Sequence, residues 1–486
     1  MGLTAMELIA AVFLPLLAAL LCWLKPLRPI AWGTTVVCLS ISFAASVMTA
    51  GQVLLSGRAV AIAGWMEVDG LGALTLLLVT FVCTMAAIFA GGYMRHGGEQ
   101  TERLWWFYTN SNLLVFALAL VPALASPNLV WVGVELVTLF ATLLVAFESN
   151  AGALEAAWKM AILTIMGAPI SLLGFLVLYW AFHTSGGGTA ETWTSLSAMA
   201  STMPPNLLKF AFLLVFVGFG AKSGLAPMHT WLPDAHSQAP TPVCAVLSGI
   251  KTTIPLYVIL RFLSIILLSP EARIGNWMVV IGLFSVGIAA FLLLQVRDYK
   301  RMFAFSTVEH MGIILVAAGF ATQGADYGAV AQMLNHSITK SLCFYTAGMV
   351  LMTYGTRQIS EVRGLFRLSP FVGSALLLCS LAIAGAPPFP VFLSEFSILS
   401  AGLRSGHNVA VTILAILIVV AFVAIMLQVN SMLFGKPEPA TPAESVPPSS
   451  RTAVLLAAIP VVVLGVYIPG PVHSLLQLAA QQLGGH

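Results

Sequence analysis

Eight ionisable side chains stand inside long apolar stretches of this 486-residue sequence: Glu135, Lys222, Lys251, Glu309, His310, His336, Lys340 and Glu395. A charge at the centre of a membrane helix costs about 2.5–3.5 kcal/mol, so such groups persist where they pair or line a wet cavity. Histidine titrates near neutral pH and lysine does so once desolvated. A carboxylate beside a lysine lets each ion offset the other's loss of solvent. Alternating Glu, Lys and His therefore suits the passage of protons by way of waters.

Glu135 has no charged neighbour in sequence until Glu148 and needs a partner from another helix. Lys222, mid-span and just ahead of a Gly- and Pro-rich break, is the expected partner; a static structural pair is the alternative reading. Lys251 falls about eleven residues into its apolar run, too deep to snorkel to the surface. His336 and Lys340 are four apart and share a helix face. Adjacent Glu309 and His310 cannot point the same way, which leaves one of them free to face a neighbouring subunit. Glu395 follows a second break. His229, Asp234 and His236 lie close together in PMHTWLPDAH, but without HExxH spacing or a cysteine partner they argue against catalytic zinc. Asp234 is expected to cap or hydrogen-bond at the cytoplasmic end of the broken helix.

The elements that must hold these groups follow from composition. The chain is 59% hydrophobic and 8% charged, with a mean hydropathy of +0.97, whereas soluble domains carry about 25% charged residues. A soluble fold is excluded. Spanning a bilayer takes about 20 mainly apolar residues per helix, because lipid offers backbone groups no partners. Apolar runs at 4–24, 29–49, 68–94, 110–126, 128–148, 155–183, 207–235, 240–268, 275–295, 301–320, 326–354, 370–403, 409–434 and 452–471 predict an all-α membrane protein of about fourteen transmembrane helices. The first run lacks a basic segment ahead of it and reads as a retained span. Polar material is left for loops such as 183–195 and the Pro-rich 436–451.

The seventh and twelfth runs, GFGAKSGLAPMHTWLPDAH and LAIAGAPPFPVFLSEFSIL, carry Gly and Pro near their middles beside an ionisable residue. Broken helices five spans apart are expected of an internal repeat with a transport pathway at its centre. The chain then divides into helices one to three at 1–109, repeats at 110–268 and 275–434, and a loop and last helix at 435–486. Alternate loops place Lys25, Arg28, Arg95, Arg103, Lys159, Arg297, Lys300, Arg301, Arg357, Arg363, Arg367, Lys436 and Arg451 on one side. Arg58, Lys209, Arg261, Arg273 and Arg404 fall opposite, so the richer side is cytoplasmic and both termini face outward from the inner (plasma) membrane. The net charge of +3, without a basic run, gives no nucleic-acid footprint. Six scattered cysteines without a CxxC pair read as buried thiols, and no P-loop or GxGxxG offers a nucleotide site.

The stretches VELVTLFATLLVAF (134–147), GAKSGLAPMHTWLPDAHSQAPTPV (220–243), RDYKRMFAFSTVEHMGI (297–313), NHSITKSLCFYTAG (335–348) and FLSEF (392–396) resemble the antiporter-like, proton-conducting membrane subunits. That family is shared by respiratory complex I, multisubunit cation/proton antiporters and membrane-bound hydrogenases. FSTVEHMG with NHSITKSL and PPFPVFLSEF looks most like component F of hydrogenase-4 and formate-hydrogenlyase-type complexes. The resemblance implies fourteen helices with two inverted five-helix repeats, in which Glu135 and Lys222 form the ion pair of a first half-channel, His310 belongs to a central polar axis, His336 and Lys340 take the His/Lys positions of the eleventh helix, and Glu395 ends the second half-channel. The usual lysine of the eighth helix falls at Thr253, whereas the lysine here is Lys251. Two residues make a turn of about 200°, so Lys251 faces the axis only if that helix is locally irregular.

The function implied is proton translocation as a non-catalytic subunit of a membrane-bound oxidoreductase, with no cofactor in this chain. Nickel–iron, iron–sulfur or flavin centres are expected in partner subunits. A subunit of a cation/proton antiporter or inorganic-carbon uptake complex, moving sodium as well as protons without redox partners, is the alternative. An intramembrane metalloenzyme using His229 and His236 is a third class.

Overall fold

A backbone that crosses lipid must satisfy its own hydrogen bonds, and this chain does so almost entirely with helices. The computed structural model describes residues 3–96, 103–269, 271–272, 274–435 and 446–484. The first helices are α1 (Leu3–Trp23) and α2 (Ala31–Ser56), followed by a hairpin of β1 (Val60–Ile62) and β2 (Met66–Val68), with Ala61 opposite Glu67. Then come α3 (Gly70–Tyr93), α4 (Leu104–Leu120), α5 (Pro127–Val145), α6 (Ala151–Thr184) and the short α7 (Trp193–Met199). The seventh span is α8 (Pro205–Ser223) plus α9 (Trp231–Gln238), and the eighth is α10 (Thr241–Val246), a π-turn at Leu247–Lys251 and α11 (Thr253–Leu267). α12 (Gly275–Leu293), α13 (Tyr299–Phe320) and α14 (Gln323–Tyr354) precede the one-turn α15 (Leu365–Leu368). The twelfth span is α16 (Pro370–Ile383) plus α17 (Pro390–Arg404), and α18 (Asn408–Phe434), α19 (Pro448–Val466) and α20 (Gly470–Gly484) complete the chain.

Among the described residues, twelve helices are long and apolar enough to cross a membrane. The two remaining expected spans fall below that mark for separate reasons. α14 has 32 residues, about 48 Å of helix, but Gln332, Asn335, His336 and Lys340 lower its hydropathy. Protein surrounds it, so its polar side chains are buried away from lipid. The twelfth span is divided at Gly385 into pieces of 14 and 15 residues, each too short alone. Both breaks expected from sequence are present, each with a glycine in the left-handed region, Gly224 at φ +77° and Gly385 at φ +75°. An L-residue there would pay steric strain.

Some expectations are corrected. The fourteenth span ends earlier than the run 452–471: α19 stops at Val466, and α20 is a separate amphipathic helix packed on α3, α11 and α14. Gln482 Oε1 accepts from the Leu71 N–H at 2.9 Å, covering an orphan donor at the start of α3, and the Tyr327 hydroxyl meets His473 Nδ1 at 2.9 Å. The segment 183–195 is not wholly loop, since α7 begins at Trp193 behind a Thr192–Ser195 capping box. Arg261, assigned to an outer loop, lies within α11 and is ion-paired with Asp69, which also caps α3 by accepting from Gly72 N at 2.9 Å. Residues 436–445 of the Pro-rich stretch, Lys436 among them, and Arg273 lie outside the described residues. The six cysteines are buried and free.

Glycines set how closely the long helices approach. On α6 a methyl at Gly167 would land 2.5 Å from Gly218 O of α8, and on α12 one at Gly282 would land 2.8 Å from Gly312 O of α13. Small residues that admit a neighbouring backbone are the usual means of packing membrane helices. Because α8 carries Lys222, this contact also sets where its ammonium sits. Gly167→Leu is expected to force α6 from α8 at a cost of about 1–3 kcal/mol, read as a lower midpoint in detergent thermal denaturation; an unchanged midpoint would contradict this packing.

Candidate functional site

The first pair forms as the sequence requires. Lys222 Nζ lies 3.0 Å from Glu135 Oε1 and donates to Thr138 Oγ1 at 3.0 Å, one turn further along α5. Lys222 is wholly buried, while Glu135 keeps about a quarter of its side chain exposed (24%). The pair therefore reaches from the interior to the surface of the chain. Lys222 occupies the last turn of α8, where the negative end of the helix dipole favours a cation.

Lys251 is brought beside this pair by the π-turn. An i→i+5 segment takes up an extra residue within a helix and rotates the helix before it relative to the helix after it. The side chain is buried, its Nζ stands 3.6 Å from the centroid of the Trp231 ring, and it donates to Lys222 O at 3.5 Å. That carbonyl is one that α8 leaves without an intrahelical partner by stopping at Ser223. Trp231 is held in turn by its Nε1–H on Ala221 O at 2.9 Å. Thr253 instead turns its hydroxyl back onto Gly249 O at 3.0 Å within its own helix.

The second group is built in the same way. Lys340 Nζ donates to Phe303 O at 2.6 Å and to the Ser306 hydroxyl, both on α13. His336 bonds through Nε2 to Ser248 O in the π-turn at 3.2 Å, which leaves its Nδ1 without a partner among the described residues. The His336 and His310 rings are 5.1 Å apart. His310 Nδ1 accepts from Gln332 Nε2 at 3.0 Å and its Nε2 donates to Ile383 O at 3.1 Å, the neutral tautomer that this network demands. Ile383 ends α16, so a carbonyl freed by the second break again receives a buried titratable group.

Glu395 lies in the second turn of α17, near the positive end of that half-helix, with its carboxylate packed directly on Gly385. Ser394 beside it donates to Gln332 Oε1 at 2.5 Å and accepts from Asn335 Nδ2 at 3.0 Å. Glu309 is buried along with His310, so neither side chain faces outward as the adjacency had allowed. It lies within charge-coupling range of Lys340 and Glu395.

His229, Asp234 and His236 do not converge. Asp234 caps no helix; it bridges Lys159 Nζ at 3.0 Å and Arg301 Nη2 at 2.7 Å, tying α6 and α13 to α9. Buried His236 donates from Nδ1 to Leu232 O at 2.6 Å, and its Nε2 has no partner among the described residues. His229 lies in the break, also buried. No group of three or more His, Cys, Asp or Glu side chains gathers as metal ligands among the described residues.

Sequence reasoning missed Thr138, Trp231, Ser248, Ser306, Gln332, Asn335 and Ser394, all in contact with the titratable groups or the residues beside them. Gln332, His336 and Lys340 repeat every four residues, a polar stripe in a buried helix that was available as a signal.

Residues 126–421 match the family described as NADH:quinone oxidoreductase/Mrp antiporter, TM, and residues 60–103 match the NADH-ubiquinone oxidoreductase (complex I) chain 5 N-terminus. The first stretch contains every candidate residue from Glu135 to Glu395. A hydrogenase-4 component F homolog of Methylacidiphilum infernorum is 36% identical over 412 residues, covering 83% of this chain and 85% of that one. NADH-quinone oxidoreductase subunit N of Desulforudis audaxviator is 28% identical over 450 residues, 86% of each chain. A chain of an archaeal membrane-bound sulfane sulfur reductase shares the fold with a TM-score of 0.85 at 24% identity, covering 99% of this chain and 96% of that one. A chain of the Mrp complex from a Dietzia species does so with a TM-score of 0.86 at 19% identity, covering 99% and 98%.

The Gly385–Glu395 contact yields a test. Gly385→Ala would place a methyl on the carboxylate at a backbone angle that disfavours any side chain, and is expected to displace Glu395. The expected reading is faster modification of Glu395 by a hydrophobic carbodiimide, located by peptide mass mapping; unchanged modification would contradict the contact.

Proposed function

Because the chain belongs to the family of antiporter-like membrane subunits shared by NADH:quinone oxidoreductases and Mrp antiporters, we propose that Glu135, Lys222, Lys251, His310, His336, Lys340 and Glu395 form its proton path. Its function class is that of the family: a proton-translocating membrane subunit of a membrane-bound oxidoreductase complex of the hydrogenase or NADH–quinone oxidoreductase type. The observation that carries the proposed path is the Glu135–Lys222 pair of 3.0 Å, next to which Lys251 stands on the Lys222 carbonyl. Two buried ammonium groups so placed repel, and one carboxylate can offset only one of them, so a proton gained or lost at Glu135 changes the affinity of both lysines. The unpartnered nitrogens of His236 and His336 supply acceptors through which water relays the next transfer.

The repeats at 110–268 and 275–434, fourteen spans in all, and outward-facing termini in the inner membrane belong to this reading. The Asp234 bridge supports the sidedness, since it joins Lys159 and Arg301 from the Lys- and Arg-rich side. His229, Asp234 and Thr253 stay outside the path; Glu309 and His236 adjoin it. Redox centres would reside in partner subunits, hydrophilic ones included. The likeness to an Mrp chain keeps a cation/proton antiporter subunit as the second reading, which sodium-dependent transport without co-purifying redox subunits would favour.

Glu135→Gln removes the charge that offsets Lys222 beside a second buried lysine, an interaction on the order of several kcal/mol. In vesicles holding the assembled complex, proton translocation is expected to fall at least about tenfold while the partners' electron transfer, measured with an uncoupler, persists. Undiminished translocation by assembled Glu135→Gln and Lys222→Ala proteins would overturn the proposed path.

A further inference from the structure

At the end of the helices where Asp234 bridges Lys159 and Arg301, the turn between α12 and α13 meets the turn after α14 around a cavity of about 510 Å3. Arg297, Arg301, Arg357 and Asp298 line its polar side, and Leu292 and Phe305 its apolar side. The negative charge of Asp298 is already engaged: it accepts from the backbone N–H of Lys300 at 2.7 Å and of Arg301 at 3.1 Å, and from the Ser237 hydroxyl at 2.6 Å. Buried Lys300 donates to the carbonyls of Ser237 and Ala239 at 3.3 and 2.9 Å, with no carboxylate partner among the described residues. Arg301 is held by Asp234, and Arg357 donates one Nη to Ser237 O at 2.5 Å. The Arg297 side chain is exposed and without a partner among the described residues, while its carbonyl is fixed by the Ile359 N–H at 2.8 Å.

The cavity thus presents an excess of guanidinium groups on a tethered backbone, at the level where two spans leave the bilayer. Beside Leu292 of this wall the end of α12 is apolar on its outer face, where Phe291 is 60% exposed and Leu294, just past the last turn, 46%. A ligand that matches both halves is anionic at one end and hydrocarbon at the other. We propose that this cavity binds the phosphate of an anionic phospholipid headgroup, with the acyl chains lying along the exposed face of α12. None of its residues belongs to the proposed proton path, so this site stands or falls independently of it.

The test uses the full-length chain, purified, delipidated and offered phosphatidylglycerol or phosphatidylcholine, with bound lipid counted by native mass spectrometry. Phosphatidylglycerol is expected to be retained over phosphatidylcholine, and Arg297→Gln to weaken that retention about fivefold, the effect of one basic contact. Added salt should weaken it further. Equal retention of phosphatidylglycerol by wild type, Arg297→Gln and Arg297→Gln/Arg357→Gln would overturn the proposal. So would displacement of the lipid by inorganic phosphate at constant ionic strength, which would assign the cavity to free phosphate.

Discussion

A backbone carbonyl that a helix no longer uses must find another donor, and inside a membrane water is not freely at hand to provide one. The buried titratable groups of this chain are arranged by that constraint. Where α8 stops, Lys222 O receives Lys251; where α16 stops, Ile383 O receives His310; where the eighth span loosens into a π-turn, Ser248 O receives His336. Ser248 O also accepts from the Thr252 hydroxyl at 2.8 Å, whereas each of the two helix ends solves two problems together. It leaves a polar backbone atom in need of a partner, and it fixes a titratable side chain that would otherwise have to be desolvated without one.

The same interruptions orient half-helix dipoles. The carbonyl end of α8 holds Lys222 and the amide end of α17 holds Glu395, so a cation and an acid sit at the ends that suit them. These sites differ in what faces them: Lys222 has a carboxylate at 3.0 Å, whereas Glu395 rests on Gly385 within range of another acid, Glu309. His310 and His336, with rings 5.1 Å apart, add two titratable groups that need no permanent charge. Family membership gives the activity, and this geometry is what the proposed path rests on.

Much of this was legible in the sequence because glycine and proline announce a break. Gly224 and Gly385 stand where the interruptions were expected, and charged residues flank them. The register of Lys251 was not legible. No residue type marks a π-turn, and LSGIK reads as ordinary helix, so counting at 3.6 residues per turn pointed the lysine away from the axis. α20 was hidden because its alanines and leucines continue the apolar run of α19, with only the short Pro-containing link 467–469 between them. The neutral partners Gln332, Asn335 and Ser394 escaped attention because uncharged polar residues in a membrane helix carry a weaker signal than charges do, although their hydrogen bonds hold His310 and the start of α17 in place.

If the π-turn is what places the lysine of the eighth span, the position of that lysine matters more than its presence in the helix. Exchanging the two residues, Lys251→Thr with Thr253→Lys, keeps composition and charge while moving the ammonium by two positions. Proton translocation by the assembled complex in vesicles, measured beside wild type and Lys251→Thr alone, is the direct measurement. The exchanged protein should fall with the single variant to about a tenth of the wild-type rate or less. Translocation at the wild-type rate by the exchanged protein would contradict the account.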